Sequence, residues 1–101
     1  MIELIDTKYT VHYTAVFKRQ YKKALKQRKD EKKLLDILMV LANGEDLEPK
    51  YRNHKLSNDK KYKDCYECHI EPDWLLVYKY TQGNLVLLLF NLGSHSELFD
   101  K

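Results

Sequence analysis

The C-terminal part of the chain constrains the fold most. Three runs rich in strand formers follow one another, residues 62–70 (YKDCYECHI), 73–81 (DWLLVYKYT) and 84–92 (NLVLLLFNL), with almost nothing between them. Glu71-Pro72 makes the first connection, and Gln82-Gly83 reads as a two-residue hairpin turn. Links this short make each strand turn back beside its predecessor, so neighbours pair antiparallel. The third run is apolar on both faces, which predicts a place inside the sheet and not at its edge.

Upstream, residues 8–13 (Lys-Tyr-Thr-Val-His-Tyr) predict a first strand. Thr14 predicts the N-cap of a helix running to about Lys29, with Phe17, Tyr21, Ala24 and Leu25 on one stripe and lysines on the other faces. Asp30 predicts the cap of a second helix, with Glu31 in its first turn. Leu34, Ile37, Leu38 and Leu41 follow at helical spacing, and Asn43-Gly44 ends the run. Residues 45–61 are polar and irregular, include Pro49, and read as a long loop. Gly93-Ser94 leads into a short helical turn from His95 to Phe99. The order is β-α-α-β-β-β in one domain over residues 1–101: an α+β fold, with a small, mainly antiparallel sheet and two N-terminal helices on one face. The opposite sheet face is left free to build a site.

Charge narrows the partners. The net charge is only +3, yet residues 1–33 carry ten Lys/Arg against four Asp/Glu, and residues 49–64 carry six against two. Basic charge concentrated in this way can hold a polyanion, because phosphate neutralisation releases counterions. No run of 18 apolar residues exists, and Glu3 and Asp6 stand where a secretion signal needs a basic start, so a cytoplasmic protein with no membrane contact is expected. Cys65 and Cys68 are then expected as reduced thiols.

Three of the four histidines occupy positions suited to chemistry. His54 lies in the basic loop, His69 near a strand end, and His95 just after the last strand. Alternation along the strand puts Cys65, Glu67 and His69 on one face and Tyr66, Cys68 and Ile70 on the other. If the second set meets the helices, His69 is on the open face, and the tight Glu71-Pro72 link brings Asp73 close enough to orient it. RNA carries its own nucleophile, the ribose 2′-hydroxyl. Its cleavage needs one group to take that proton and another to supply the departing 5′-oxygen, and histidine suits both roles. Nearby Lys or Arg can stabilise the phosphorane, and the reaction needs no cofactor and no metal. His12, with no motif around it, reads as an ordinary strand residue.

Three blocks carry a family resemblance: Tyr51-x-x-His54-x-Leu56, His69-Ile70-Glu71-Pro72-Asp73-Trp74, and Gly93-Ser94-His95-Ser96-Glu97-Leu98-Phe99. In order and spacing they resemble the signature of the YafQ-type toxins of the RelE superfamily, over almost the whole chain. The resemblance implies a ribosome-dependent endoribonuclease acting on mRNA, with a site at His54, His69, Asp73, His95 and Phe99 and with Trp74 beside them. It also implies a cognate DinJ/RelB-like antitoxin in a hetero-oligomer, with operator DNA bound only through that antitoxin. Asn91 stands where the family commonly has Arg, so the missing cation is expected from Arg52 or Lys55. His95 is the expected general acid, and His54, helped by His69 and Asp73, forms the base side.

Competing readings separate on chemistry. Cys65-Tyr66-Glu67-Cys68-His69 matches the haem-attachment string, but strand residues three apart face opposite ways and cannot share one haem or metal. A ParE-like gyrase inhibitor, or an inactive relative kept for antitoxin binding, is the alternative to a nuclease.

Overall fold

The computed structural model describes residues 6–56, 60–81 and 83–99. Strand β1 (Thr10–Tyr13) precedes helices α1 (Ala15–Lys26) and α2 (Glu31–Ala42). Strand β2 (His54–Lys55) leads to β3 (Tyr66–Glu71), β4 (Trp74–Thr81), β5 (Val86–Gly93) and the short helix α3 (His95–Phe99). The sheet order is β1-β5-β4-β3-β2; β1 runs parallel to β5 and the other pairs are antiparallel. The expected α+β plan therefore holds, and the apolar β5 does lie inside the sheet.

Local chemistry starts both helices and stops α2 as read, while α1 ends at Lys26, short of the expected Lys29. The Thr14 hydroxyl accepts from the Phe17 amide at 3.0 Å, a cap contributing about 1 kcal/mol. The same hydroxyl donates to the Phe90 carbonyl at 2.7 Å, which ties the start of α1 to β5. Asp30 caps α2 through the Lys33 amide. Gly44, at φ +74°, closes the end of α2; a Cβ there would meet the Tyr9 ring at 3.2 Å as well as straining the backbone. At the other end of the chain, Ser94 and Glu97 form a reciprocal capping box. The Ser94 amide donates to the Glu97 carboxylate at 2.8 Å, and the Glu97 amide donates to the Ser94 hydroxyl at 3.2 Å.

Two buried layers flank the sheet. On the helical side, Phe17, Tyr21, Leu34, Leu38 and Leu41 pack against Cys68, Ile70, Trp74, Leu76, Tyr78, Leu87 and Leu89. On the opposite side, a smaller cluster joins Tyr62, Cys65, Leu75, Val77 and Leu98, with Leu56, Phe90 and Phe99 against it. Cys65 and Cys68 are buried in different layers, as strand alternation requires, so no shared metal or haem is open to the pair. Burial pushes the Cys68 thiol up to about 12, aided by the neighbouring Glu67 charge.

Three further expectations need correction. Residues 45–61 are not one loop: Pro49–Tyr51 form a 3-10 turn and His54–Lys55 pair with β3. The strand expected over 62–70 begins only at Tyr66, because residues 61–64 turn and Asp64 adopts a left-handed φ of 62°. The hairpin after β4 is longer than two residues, since Thr81 pairs with Val86; Gly83 and Leu85 both take positive φ there, and Gln82 lies outside the described residues. A β-bulge falls opposite Val77 and Tyr78, where β5 carries the extra residue Phe90. It switches the alternation, so Leu87, Leu89 and Leu92 all meet the helices while Asn91 shares the other face with Val77.

Candidate active site

The sheet face opposite the helices gathers the histidines. Register pairs His54 directly with Glu67, and Glu67 and His69 occupy the same face of β3. Glu67 is a buried charged residue; one of its oxygens is hydrogen-bonded by His69 and also faces His54. His69 Nε2 donates to Oε1 at 3.0 Å, and His54 Nε2 stands 3.8 Å from the same atom. His95 completes the group, its ring centroid 5.3 Å from that of His69 in an edge-on arrangement. Phe99, one helical turn further along α3, lies 6.5 Å from the His95 ring and packs edge-on against Tyr62 at 5.5 Å.

Hydrogen bonding assigns the protons. A carbonyl oxygen only accepts, so the 2.8 Å contact between His54 Nδ1 and the Arg52 carbonyl puts a proton on Nδ1. In the neutral ring, Nε2 then carries the lone pair and faces Glu67. Asp73 accepts from the His95 amide and from His95 Nδ1, each at 2.9 Å. This leaves Nε2 as the free nitrogen of His95. Those two bonds, the backbone one first, hold the Asp73 carboxyl below its usual range. Exposure divides the rings. The His54 and His95 side chains are 53% and 49% exposed and open to a polymer, whereas that of His69 is 14% exposed.

Expectation and structure part at three residues. Asp73 serves His95, not His69, because the β3–β4 turn points it across to the start of α3; Glu67 is the partner of His69. Trp74, expected beside the substrate, is 3% exposed in the helical core, since alternation sets it on the same face as Leu76. Lys55 pairs with Tyr66, whose ring stacks on Tyr78 at 5.7 Å on the helical side, so it stands on the face opposite His54. Arg52, by contrast, lines a cleft that also includes His69 and His95. Asn91 lies on the site face, in register with Val77. Glu67 was missed as a site residue, although its signal was present: a carboxylate sharing a sheet face with a histidine two positions away.

The cluster can exchange protons at two points a few ångströms apart. It could also ligate a metal ion, since one ligand atom each from Glu67, His69 and His95 lie within 4.8 Å of one another.

An α+β sheet with one helical face, and with imidazoles and carboxylates converging on the other, defines a small RelE-like toxin fold. Residues 9–100 match the family model described as the bacterial toxin of type II toxin-antitoxin systems, YafQ, and the chain belongs to that family. It is 35% identical over 91 residues to the mRNA interferase toxin YafQ of Escherichia coli strain B / BL21-DE3, covering 88% of this chain and 94% of that protein. Among solved structures, a metal-bound toxin from Helicobacter pylori superposes with a TM-score of 0.84 at 40% identity, over 90% of this chain and 99% of its own. The toxin of the E. coli DinJ–YafQ complex gives 0.80 at 31% identity, over 91% and 98%.

Proposed function

We propose that the chain is an endoribonuclease that cuts messenger RNA on the ribosome and is held in check by a DinJ-like antitoxin. The observation that carries the reading is the convergence of His54, Glu67, His69 and His95 on one sheet face, with Asp73 fixing the tautomer of His95. His54 Nε2 takes the proton of the ribose 2′-hydroxyl, and the Glu67 carboxylate stabilises the imidazolium that forms. The 2′-oxygen attacks phosphorus and the bond to the 5′-oxygen breaks. His95, protonated on both nitrogens with its Nδ1–H held by Asp73, gives its Nε2 proton to that leaving oxygen, so the products are a 2′,3′-cyclic phosphate and a 5′-hydroxyl end. Every proton moved belongs to the RNA or to these side chains, so the steps need no metal. Support for the target and partner comes from the relatives, named as mRNA interferases and solved with DinJ.

The test is to map RNA ends after brief induction of the wild type, His54→Ala and His95→Ala, with and without the antitoxin product. Wild type should yield mRNA cuts with 5′-hydroxyl ends, His95→Ala should yield none while remaining folded, and co-expressed antitoxin should restore growth. Intact mRNA together with DNA-damage signalling would replace this reading with gyrase inhibition.

A further inference from the structure

We infer that the cleft between the Pro49–Tyr51 turn, the N-terminal part of α2 and the β3–β4 turn is a nucleotide subsite, taking the base and phosphate next to the scissile linkage. The inference rests on the endoribonuclease reading above and adds to it a place for the flanking residue. The cleft has a volume of about 540 Å³ and is lined by Lys33, Lys50, Tyr51, Arg52, His69 and His95. That volume lies within the roughly 300–1,000 Å³ of small-ligand sites. Its last two walls are the reacting cluster itself, so an occupant there is adjacent to the proton-transfer groups.

Charge and shape select the ligand. Three cations meet one carboxylate, Glu71, and Lys33 already pairs with it at 3.2 Å. The Lys50 ammonium sits 5.1 Å from the centre of the Tyr51 ring, and Arg52 forms no ion pair among the described residues. Two positive charges are therefore available to an anion, beside a planar ring. A phosphate joined to an aromatic base satisfies both features, the phosphate meeting Arg52 and Lys50 and the base stacking on Tyr51. The site face of β5 supplies the neutral Asn91, whereas this cleft sets cations in one lining with His69 and His95. Arg52 also joins the two regions physically. Its backbone is left-handed, at φ 49°, and its carbonyl holds the His54 ring, so a ligand that moves Arg52 moves a group of the reacting cluster.

The experiment titrates the purified full-length protein with a short 2′-O-methyl RNA, whose blocked hydroxyl prevents cleavage. Binding is followed by amide NMR and by fluorescence anisotropy across a series of salt concentrations. Shifts should centre on Tyr51, Arg52 and His69. Tyr51→Ala should weaken binding about tenfold, and Tyr51→Phe, which keeps the ring, should recover wild-type affinity. The Lys50→Met/Arg52→Met double variant should lower the salt slope by about 0.7, the contribution of one phosphate contact on a single strand. No measurable binding by the wild type, shifts centred elsewhere, or unchanged affinity and slope in these variants would overturn the subsite. His95→Ala is the separate control for the chemistry: it should leave mRNA uncut, while the subsite is read only from binding by the Tyr51 and Lys50/Arg52 variants. Cleavage by His95→Ala would sink the active-site reading and not the subsite.

Discussion

The Asp73 carboxylate accepts two hydrogen bonds from His95 through a single oxygen, one from the backbone amide and one from ring Nδ1, both 2.9 Å long. The backbone bond fixes where the ring begins, and the ring bond fixes which nitrogen is free. Asp73 belongs to the turn before β4 and His95 to the first turn of α3, so this contact also joins two elements 22 residues apart.

Asp73→Asn tests the charge separately from the geometry, because the amide oxygen can still accept both bonds. The charged acceptor should matter to the imidazolium form, so kcat should fall roughly 10–100-fold while the fold is kept. Titration of the Asp73 carboxyl by NMR should give a midpoint below the ordinary value of 3.8. A lowered folded value means that the contribution of this group to the native state is complete above the unfolded value. It is lost only as pH falls through the lowered one. His95→Ala should leave part of the depression in place, because its largest single cause is the bond from the backbone amide.

Glu67→Gln should move activity and stability in opposite directions. The buried carboxylate is hydrogen-bonded to His69 and faces His54, and removing its charge should lower kcat by about 10²-fold or more if it stabilises the base. Replacing a buried charge by its isosteric amide should leave Tm unchanged or raised. A lowered Tm with unchanged kcat would contradict the role.

Trp74→Phe separates packing from contact with RNA. Trp74 is buried among helical-core residues, so the change should destabilise by about 1–3 kcal/mol in denaturant titrations. Cleavage per folded molecule should remain as in the wild type.

Lys55→Ala should leave both cleavage and its salt dependence within about twofold of the wild type, since Lys55 pairs with Tyr66 on the face away from His54. A loss comparable to that of an Arg52 variant would show that β2 turns over when RNA binds.

Chelation by 1,10-phenanthroline, which spares the magnesium that ribosomes need, should not slow cleavage. Added Cu²⁺ or Zn²⁺ should inhibit instead, because Glu67, His69 and His95 offer ligand atoms within 4.8 Å of one another and a bound ion would occupy the imidazoles. Loss of activity on chelation would refute the metal-free steps.

Much of this was already decided in one dimension. Periodicity placed Phe17, Tyr21, Leu34, Leu38 and Leu41 on buried helix faces, and Thr14, Asp30 and Gly44 at helix ends, because capping and amphipathicity act over three or four residues. Alternation likewise separated Cys65 from Cys68 and put His69 on the open face. Three things depended on contacts distant in sequence. The edge pairing that sets His54 against Glu67 needs only two residues, too few to leave a pattern. The bulge at Phe90 reverses alternation without any local marker, which is why Asn91 faces the site. Asp73 could have served either neighbouring imidazole; only the docking of α3, through buried Leu98 and the Lys23–Glu97 ion pair, brought His95 within reach of it. Short-range spacing is read directly from the chain, whereas the choice between two possible partners is made by packing, which sets distances that sequence separation does not contain.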